Sequence, residues 1–194
     1  MWHAAPVSAE RGLPADPGAG GRPDPDTERM RALIDEACRK SALVWLRNPE
    51  DTHARAAWHV YVDGAVHLVG GGIEQELPAL ADGAEVEVTV RSKDTWGRIL
   101  RLTARATRIH PGSDAWKAAV PELHAKRLNP PDGEQQPTRW ARESAVFRLD
   151  PVGRPHEHPG HLSHASHAAE PVPTPATTRG RLPLVLGRRA RRRR

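Results

Sequence analysis

Residues 57 to 109 constrain the fold most, because this run carries strand after strand, two tight turns and little helical patterning. Trp58, Val60 and Val62 alternate with His59 and Tyr61, so the first three share one face of a strand. Asp63-Gly64 then supplies the positive-φ pair of a two-residue hairpin turn, and the chain returns as Ala65 to Val69. Further on, Val86, Val88 and Val90 alternate with Glu85, Glu87 and Thr89. After a turn over residues 92 to 97, Leu100, Leu102, Ala104 and Ala106 alternate with Arg101, Thr103, Arg105 and Thr107. The period of two in both runs predicts a long second hairpin with one face buried.

Helices flank this core. Asp26 or Thr27 can cap a first helix whose Met30, Leu33, Ile34, Ala37 and Cys38 form one buried stripe, which places Cys38 in the core. Ser41 to Leu46 reads as a short buried strand, closed by turn residues 48 to 51. Ser113 or Asp114 opens a second helix through Trp116, Ala119, Val120 and Leu123, with Pro121 tolerated where a new turn begins. Ala145 to Leu149 is the last strand. No helix separates the early strands, so antiparallel neighbours follow. The order helix, strand, hairpin, loop, long hairpin, helix, strand predicts a small antiparallel barrel with peripheral helices; a sandwich is the alternative.

The ends differ in kind. Residues 1 to 25 are rich in Pro and Gly without apolar periodicity, and residues 154 to 194 are rich first in His and Pro and then in Arg. Both are expected to be disordered, which leaves one domain over residues 26 to 153. The formal charge of +5 divides into −1 for residues 1 to 25, −1 for 26 to 153 and +7 for 154 to 194. The basicity is thus a tail property, which excludes a basic nucleic-acid groove on the domain; any nucleic-acid affinity is expected to be an unspecific, salt-sensitive property of the Arg-rich end, a third reading of function, and no specific nucleic-acid partner is expected. The tail histidines His156, His158, His161, His164 and His167 have nitrogen ligands at short spacing but nothing to order them, so no defined metal site is expected. The single cysteine excludes an intramolecular disulfide and a cysteine-based zinc site. No apolar run reaches the ~20 residues that span a bilayer, and the first residues lack a basic segment followed by an apolar one. A cytoplasmic setting without membrane association is expected.

The helix Glu28 to Lys40 running into Ala42-Leu43-Val44-Trp45-Leu46, the hairpin Trp58 to Gly64, the loop Gly70-Gly71-Gly72, the run Val86 to Lys93 with Gly97-Arg98, and the closing Trp140 to Leu149 share one further property. In order and spacing, over roughly residues 28 to 152, they resemble the flavin-binding split barrels, the pyridoxamine 5'-phosphate oxidase-like family, in its small members from high-G+C bacteria. The resemblance implies a mainly β fold, a six-stranded antiparallel Greek-key split barrel with peripheral helices. It also implies a homodimer, with FMN or F420 bound at the dimer interface and its phosphate held by basic and hydroxyl side chains. The activity implied is a flavin- or F420-dependent oxidoreductase acting on a small organic substrate. No catalytic triad is expected, because such a cofactor carries the chemistry.

On that reading Arg91, Ser92 and Lys93 are the expected phosphate ligands, assisted by Arg98 and Arg101, because a phosphate calls for donors and positive charge. The alternative is a solvated turn. His59 and Tyr61 face either a cofactor or a dimer interface. Trp140 and Arg142 either line a pocket at that interface or simply pack. Gly70 to Gly72 is either a set of amides for a phosphate or a plain connector. Lys126-Arg127 ends the second helix, where basic residues complement the helix dipole without a ligand. One departure from the family stands out: Glu74 and Glu76 follow the third strand where family members place phosphate-binding residues, so like-charge repulsion is expected there. It supports a second function, a non-catalytic dimeric barrel that has lost its cofactor site and serves as a binding module.

Overall fold

The computed structural model describes residues 24–165 and 168. The expected disorder of residues 1 to 23, and of the Arg-rich end after 168, lies outside the described residues, as does His167. The elements in chain order are α1 (Pro25–Lys40), β1 (Leu43–Arg47), β2 (Arg55–Trp58), β3 (Val60–Val62), β4 (Ala65–Gly70), β5 (Glu85–Arg91), β6 (Arg98–Ile109), α2 (Asp114–Lys126), α3 (Gln136–Glu143) and β7 (Ala145–Glu157). A short 3-10 turn, Gly133–Gln135, leads into α3.

The seven strands form one antiparallel sheet in the order β2-β1-β5-β6-β7-β4-β3. Its two edge strands, β2 and β3, are consecutive in sequence and separated by His59 alone. A flat sheet cannot bring its opposite edges within one residue of each other, so the sheet curls round on itself, the arrangement of a split barrel. The expectation of six strands is corrected to seven for the same reason. The strand read from Trp58 to Val62 breaks at His59: Trp58 ends β2, which pairs with β1, and Val60–Val62 forms β3, which pairs with β4.

Alternation on β5 and β6 is as the sequence implies. Val86, Val88, Val90, Leu100, Leu102, Ala104 and Ala106 are buried in the barrel with Val44, Leu46, Val66 and Leu68, while their neighbours turn outward. The buried stripe of α1, including Cys38, plugs this core. Burial pushes the Cys38 thiol up to about 12, so it behaves as a small apolar side chain. A second cluster lies on the other face of β4 and β7, where Val69, Val146 and Ile109 pack against Val120 and Leu123 of α2 and Trp140 of α3. Every residue of β4 is therefore buried.

The caps differ in detail from the sequence reading. Asp24 caps α1 by accepting from the Asp26 backbone N–H, because Pro25 occupies the first helical position and has no N–H to offer. Ser113 caps α2 by accepting from the Trp116 N–H, and Pro121 sits within a continuous helix. α3 has no counterpart in the sequence reading; its eight residues carry mostly polar side chains, with Trp140 and Gln136 the buried pair. β7 continues past Leu149 to Glu157, pairing Arg101 with Glu157 after a register shift.

No helix among the described residues is long and apolar enough to cross a membrane.

Candidate functional site

A groove of about 680 Å3 opens where the C-terminal ends of α1 and α2 meet the β2–β3 strand. Trp58, His59 and Tyr61, around the break between β2 and β3, all line it. Arg39 and Lys40 arrive from the last turn of α1, Lys126 and Arg127 from the end of α2, and Leu43 and Leu128 supply exposed apolar surface. Glu122 is the one acidic side chain in the lining.

His59 is 8 % exposed, and its Nε2 lies 2.9 Å from the Cys38 carbonyl oxygen. A carbonyl only accepts, so Nε2 carries the proton; Nδ1 has no hydrogen-bond partner among the described residues. Burial holds the imidazole below its ordinary pKa, against the smaller opposing effect of that hydrogen bond. Tyr61 donates its hydroxyl to Asp35 at 2.5 Å, and burial, reinforced by that carboxylate, raises the phenol above its ordinary range. Tyr61 is thus held by Asp35 from outside the groove lining, and His59 by the backbone of Cys38, itself a lining residue.

His67, buried on β4, is likewise held low, first by burial and then by Arg148. Both imidazoles bind a proton more readily in the unfolded chain. Their contribution to stability is complete above the unfolded value of about 6.5 and is lost as pH falls from there towards the depressed folded values. Urea midpoints are therefore expected to fall between pH 7.5 and 5.5, and to fall less in a His67→Met variant. Equal slopes in the two proteins would remove His67 from this account.

The expected phosphate cluster forms the tip of the β5–β6 hairpin. There Arg91 Nε donates to the Trp96 carbonyl at 2.8 Å, the Ser92 N–H donates to the Gly97 carbonyl at 2.8 Å, and Ser92 Oγ accepts from the Asp94 and Thr95 amides at 3.2 Å each. The Arg91 guanidinium also lies 5.7 Å from the Trp45 ring centroid, and Lys93 lies 4.0 Å from Asp94. These side chains mostly serve the turn itself. The tip adjoins the groove through Ser41, whose Oγ is 3.2 Å from the Arg91 carbonyl oxygen.

The remaining expected residues lie elsewhere. Arg98 pairs with Glu157 at 2.5 Å, and Arg101 with the same carboxylate at 2.8 Å. Trp140 is fully buried, whereas Arg142 is 71 % exposed and 4.0 Å from Glu143, so the two do not form one wall. The structure therefore gathers His59 and Tyr61 in the groove, sets Arg91, Ser92 and Lys93 beside it, and takes Arg98, Trp140 and Arg142 into other contacts.

Glu74 is not presented to a ligand. Its side chain is 0 % exposed and accepts from Arg127 Nε at 2.8 Å, Arg139 Nη2 at 2.8 Å and Trp140 Nε1 at 3.0 Å. Burial acts to raise its pKa, but these three donors outweigh it and hold the carboxyl below its ordinary value. Arg139 is held in turn by Asp132 at 2.7 Å. The expected repulsion at this position is thus corrected: the carboxylate is neutralised inside the protein. Glu76 is exposed and pairs with Arg55 at 3.1 Å. Gly70 to Gly72 make a tight turn in which the Gly71 N–H donates to the Gln75 carbonyl at 3.2 Å. A Cβ on Gly70 would sit 2.5 Å from Leu77 Cγ, and Gly71 and Gly72 hold positive φ, so glycine is required by packing and backbone conformation.

Sequence reasoning missed Arg39 and Lys126 as groove residues, since a basic last turn is fully accounted for by the helix dipole. The available signal was the repetition: Arg39-Lys40 and Lys126-Arg127 both end helices.

No protein-family model and no curated protein matches this chain. Among solved structures it is similar to the heme-storage protein HutZ of Vibrio cholerae, with TM-score 0.48 and 14% identity over 68% of this chain and 99% of that one. It is also similar to a general stress FMN/FAD-binding protein of Xanthomonas citri, with TM-score 0.44 and 16% identity over 66% and 86% of the two chains. A third is an F420 reductase, with TM-score 0.39 and 15% identity over 61% and 93%.

Proposed function

We propose that this chain is a homodimeric split-barrel protein of the cytoplasm that binds a flavin-type cofactor, FMN or F420, and uses it for oxidation or reduction of a small organic substrate. The observation that carries this reading is the composition of the groove, whose lining combines Trp58, His59 and Tyr61 with four cations and one acid. Its volume falls within the 300–1,000 Å3 or so of small-molecule sites. A planar ring bearing a phosphate matches both halves, since apolar and aromatic surface covers the ring and the cations offset the charge. When bound, the cofactor supplies hydride transfer. The protein's residues bind and orient it: Asp35 fixes Tyr61, the Cys38 carbonyl fixes His59, and the buried Glu74 holds Arg127 in the groove lining.

One observation favours the second reading, a cofactor-free binding module: the donors of the Arg91 to Lys93 turn are largely used within the turn. Titration of the full chain with FMN and with F420 in phosphate-free buffer, followed by absorbance and fluorescence, separates the two. Saturable binding of about one cofactor per subunit is the expected result. A folded protein that binds neither establishes the module instead.

A further inference from the structure

Four cations reach the groove, but two of them already have acidic partners. Lys40 Nζ lies 2.6 Å from Glu36, and Arg127 Nε lies 2.8 Å from the buried Glu74. Arg39 and Lys126 have no ion pair among the described residues. Glu122 lies one helical turn before Lys126, the spacing that favours a Glu–Lys pair, yet no such pair forms. The two unpaired cations come from different helices, α1 and α2, and line the same groove that Leu43 and Leu128 line. Leu128 is 79% exposed, a large apolar surface beside positive charge. An anion alone leaves that surface wet, and an apolar ligand alone leaves the two charges uncompensated.

We infer that Arg39 and Lys126 form an anion subsite that takes the phosphate monoester of a ring-bearing ligand, with Leu43 and Leu128 against its apolar part. This assignment deepens the cofactor reading and rests on it for the identity of the ring. It moves the phosphate from the hairpin tip to the helix ends. There the cations are unpaired, whereas at the tip Arg91 is engaged by the Trp96 carbonyl and Ser92 by two amides of its own turn.

The test compares FMN with riboflavin, the same ring without the phosphate, on the full-length wild type and on Arg39→Gln, Lys126→Gln and Lys93→Gln. All three positions are solvent-exposed, so the variants keep the fold. Arg39→Gln and Lys126→Gln are each expected to weaken FMN about tenfold, the size of one charge-assisted contact, and to leave riboflavin unchanged. Lys93→Gln is expected to bind FMN as the wild type does. Wild-type FMN affinity in both Arg39→Gln and Lys126→Gln overturns the subsite while the flavin reading stands. If the wild type binds neither flavin, the flavin reading falls and inorganic phosphate becomes the probe. Amide NMR shifts at residues 39 and 126 that saturate with phosphate, and vanish in the two variants, then uphold the subsite; their absence overturns it.

Discussion

Replacing Glu74 with leucine is expected to lower the unfolding free energy by about 3–5 kcal/mol, the cost of removing one partner from a buried ion pair. The side chain is fully buried and receives three donors, so its loss strands two guanidinium groups and an indole N–H at once. Arg139 keeps Asp132, but among the described residues Arg127 retains only the Leu128 carbonyl and Trp140 has no other acceptor for its ring nitrogen. Glu74→Gln keeps the shape and one acceptor oxygen, and a smaller loss is expected. Urea unfolding at neutral pH measures both. The sign with pH is fixed by the depressed carboxyl: the stabilisation is complete above the unfolded carboxylate value, about 4.3, and is lost as pH falls through the lower folded value. Wild type and Glu74→Leu should therefore converge in strong acid. A leucine variant within 1 kcal/mol or so of wild type at pH 7 would show that the cluster contributes nothing net.

The position of Glu74 also shows where sequence reading stops. As a carboxylate just after a strand it reads as a surface charge that repels phosphate, since its partners lie 53 and more residues away along the chain. The alternation of Val86, Val88 and Val90 with Glu85, Glu87 and Thr89 needs no such partner, because a period of two states which face is buried whichever strand pairs with it. The Asp63-Gly64 turn is local in the same way. The break at His59 is not: residues 58 to 62 alternate without interruption in the sequence, and what divides them is that Trp58 belongs to a strand paired with β1 whereas Val60–Val62 pairs with β4.

The site divides along the same line. His59 and Tyr61 are legible because alternation sets them off from Trp58, Val60 and Val62, although alternation does not reveal that His59 is anchored to Cys38. Arg39 and Lys126 are illegible because a basic last turn is sufficiently explained by the helix itself. Only the meeting of two helix ends at one groove gives them a second meaning.

Glu157 carries the second large effect. Its side chain is 4% exposed and lies between Arg98 at 2.5 Å and Arg101 at 2.8 Å, closing a run of charge that continues through Glu87 to Arg47 across β7, β6, β5 and β1. The expected domain end at residue 153 rests on the His- and Pro-rich composition of the residues that follow; the strand runs on to Glu157 because β6 is long enough to pair Arg101 with Glu157 beyond the bulge. Glu157→Leu is expected to cost about 3 kcal/mol. Arg101 retains Glu87 at 3.5 Å, whereas Arg98 keeps, among the described residues, only a hydrogen bond to the Ser163 carbonyl. Most of the loss should therefore arise at Arg98, and adding Arg98→Met to Glu157→Leu is expected to recover about half of it, since the stranded charge is then gone. Additive losses in the double variant, with no recovery, would mean that the two side chains act independently and that the strand end is held by its backbone ladder alone.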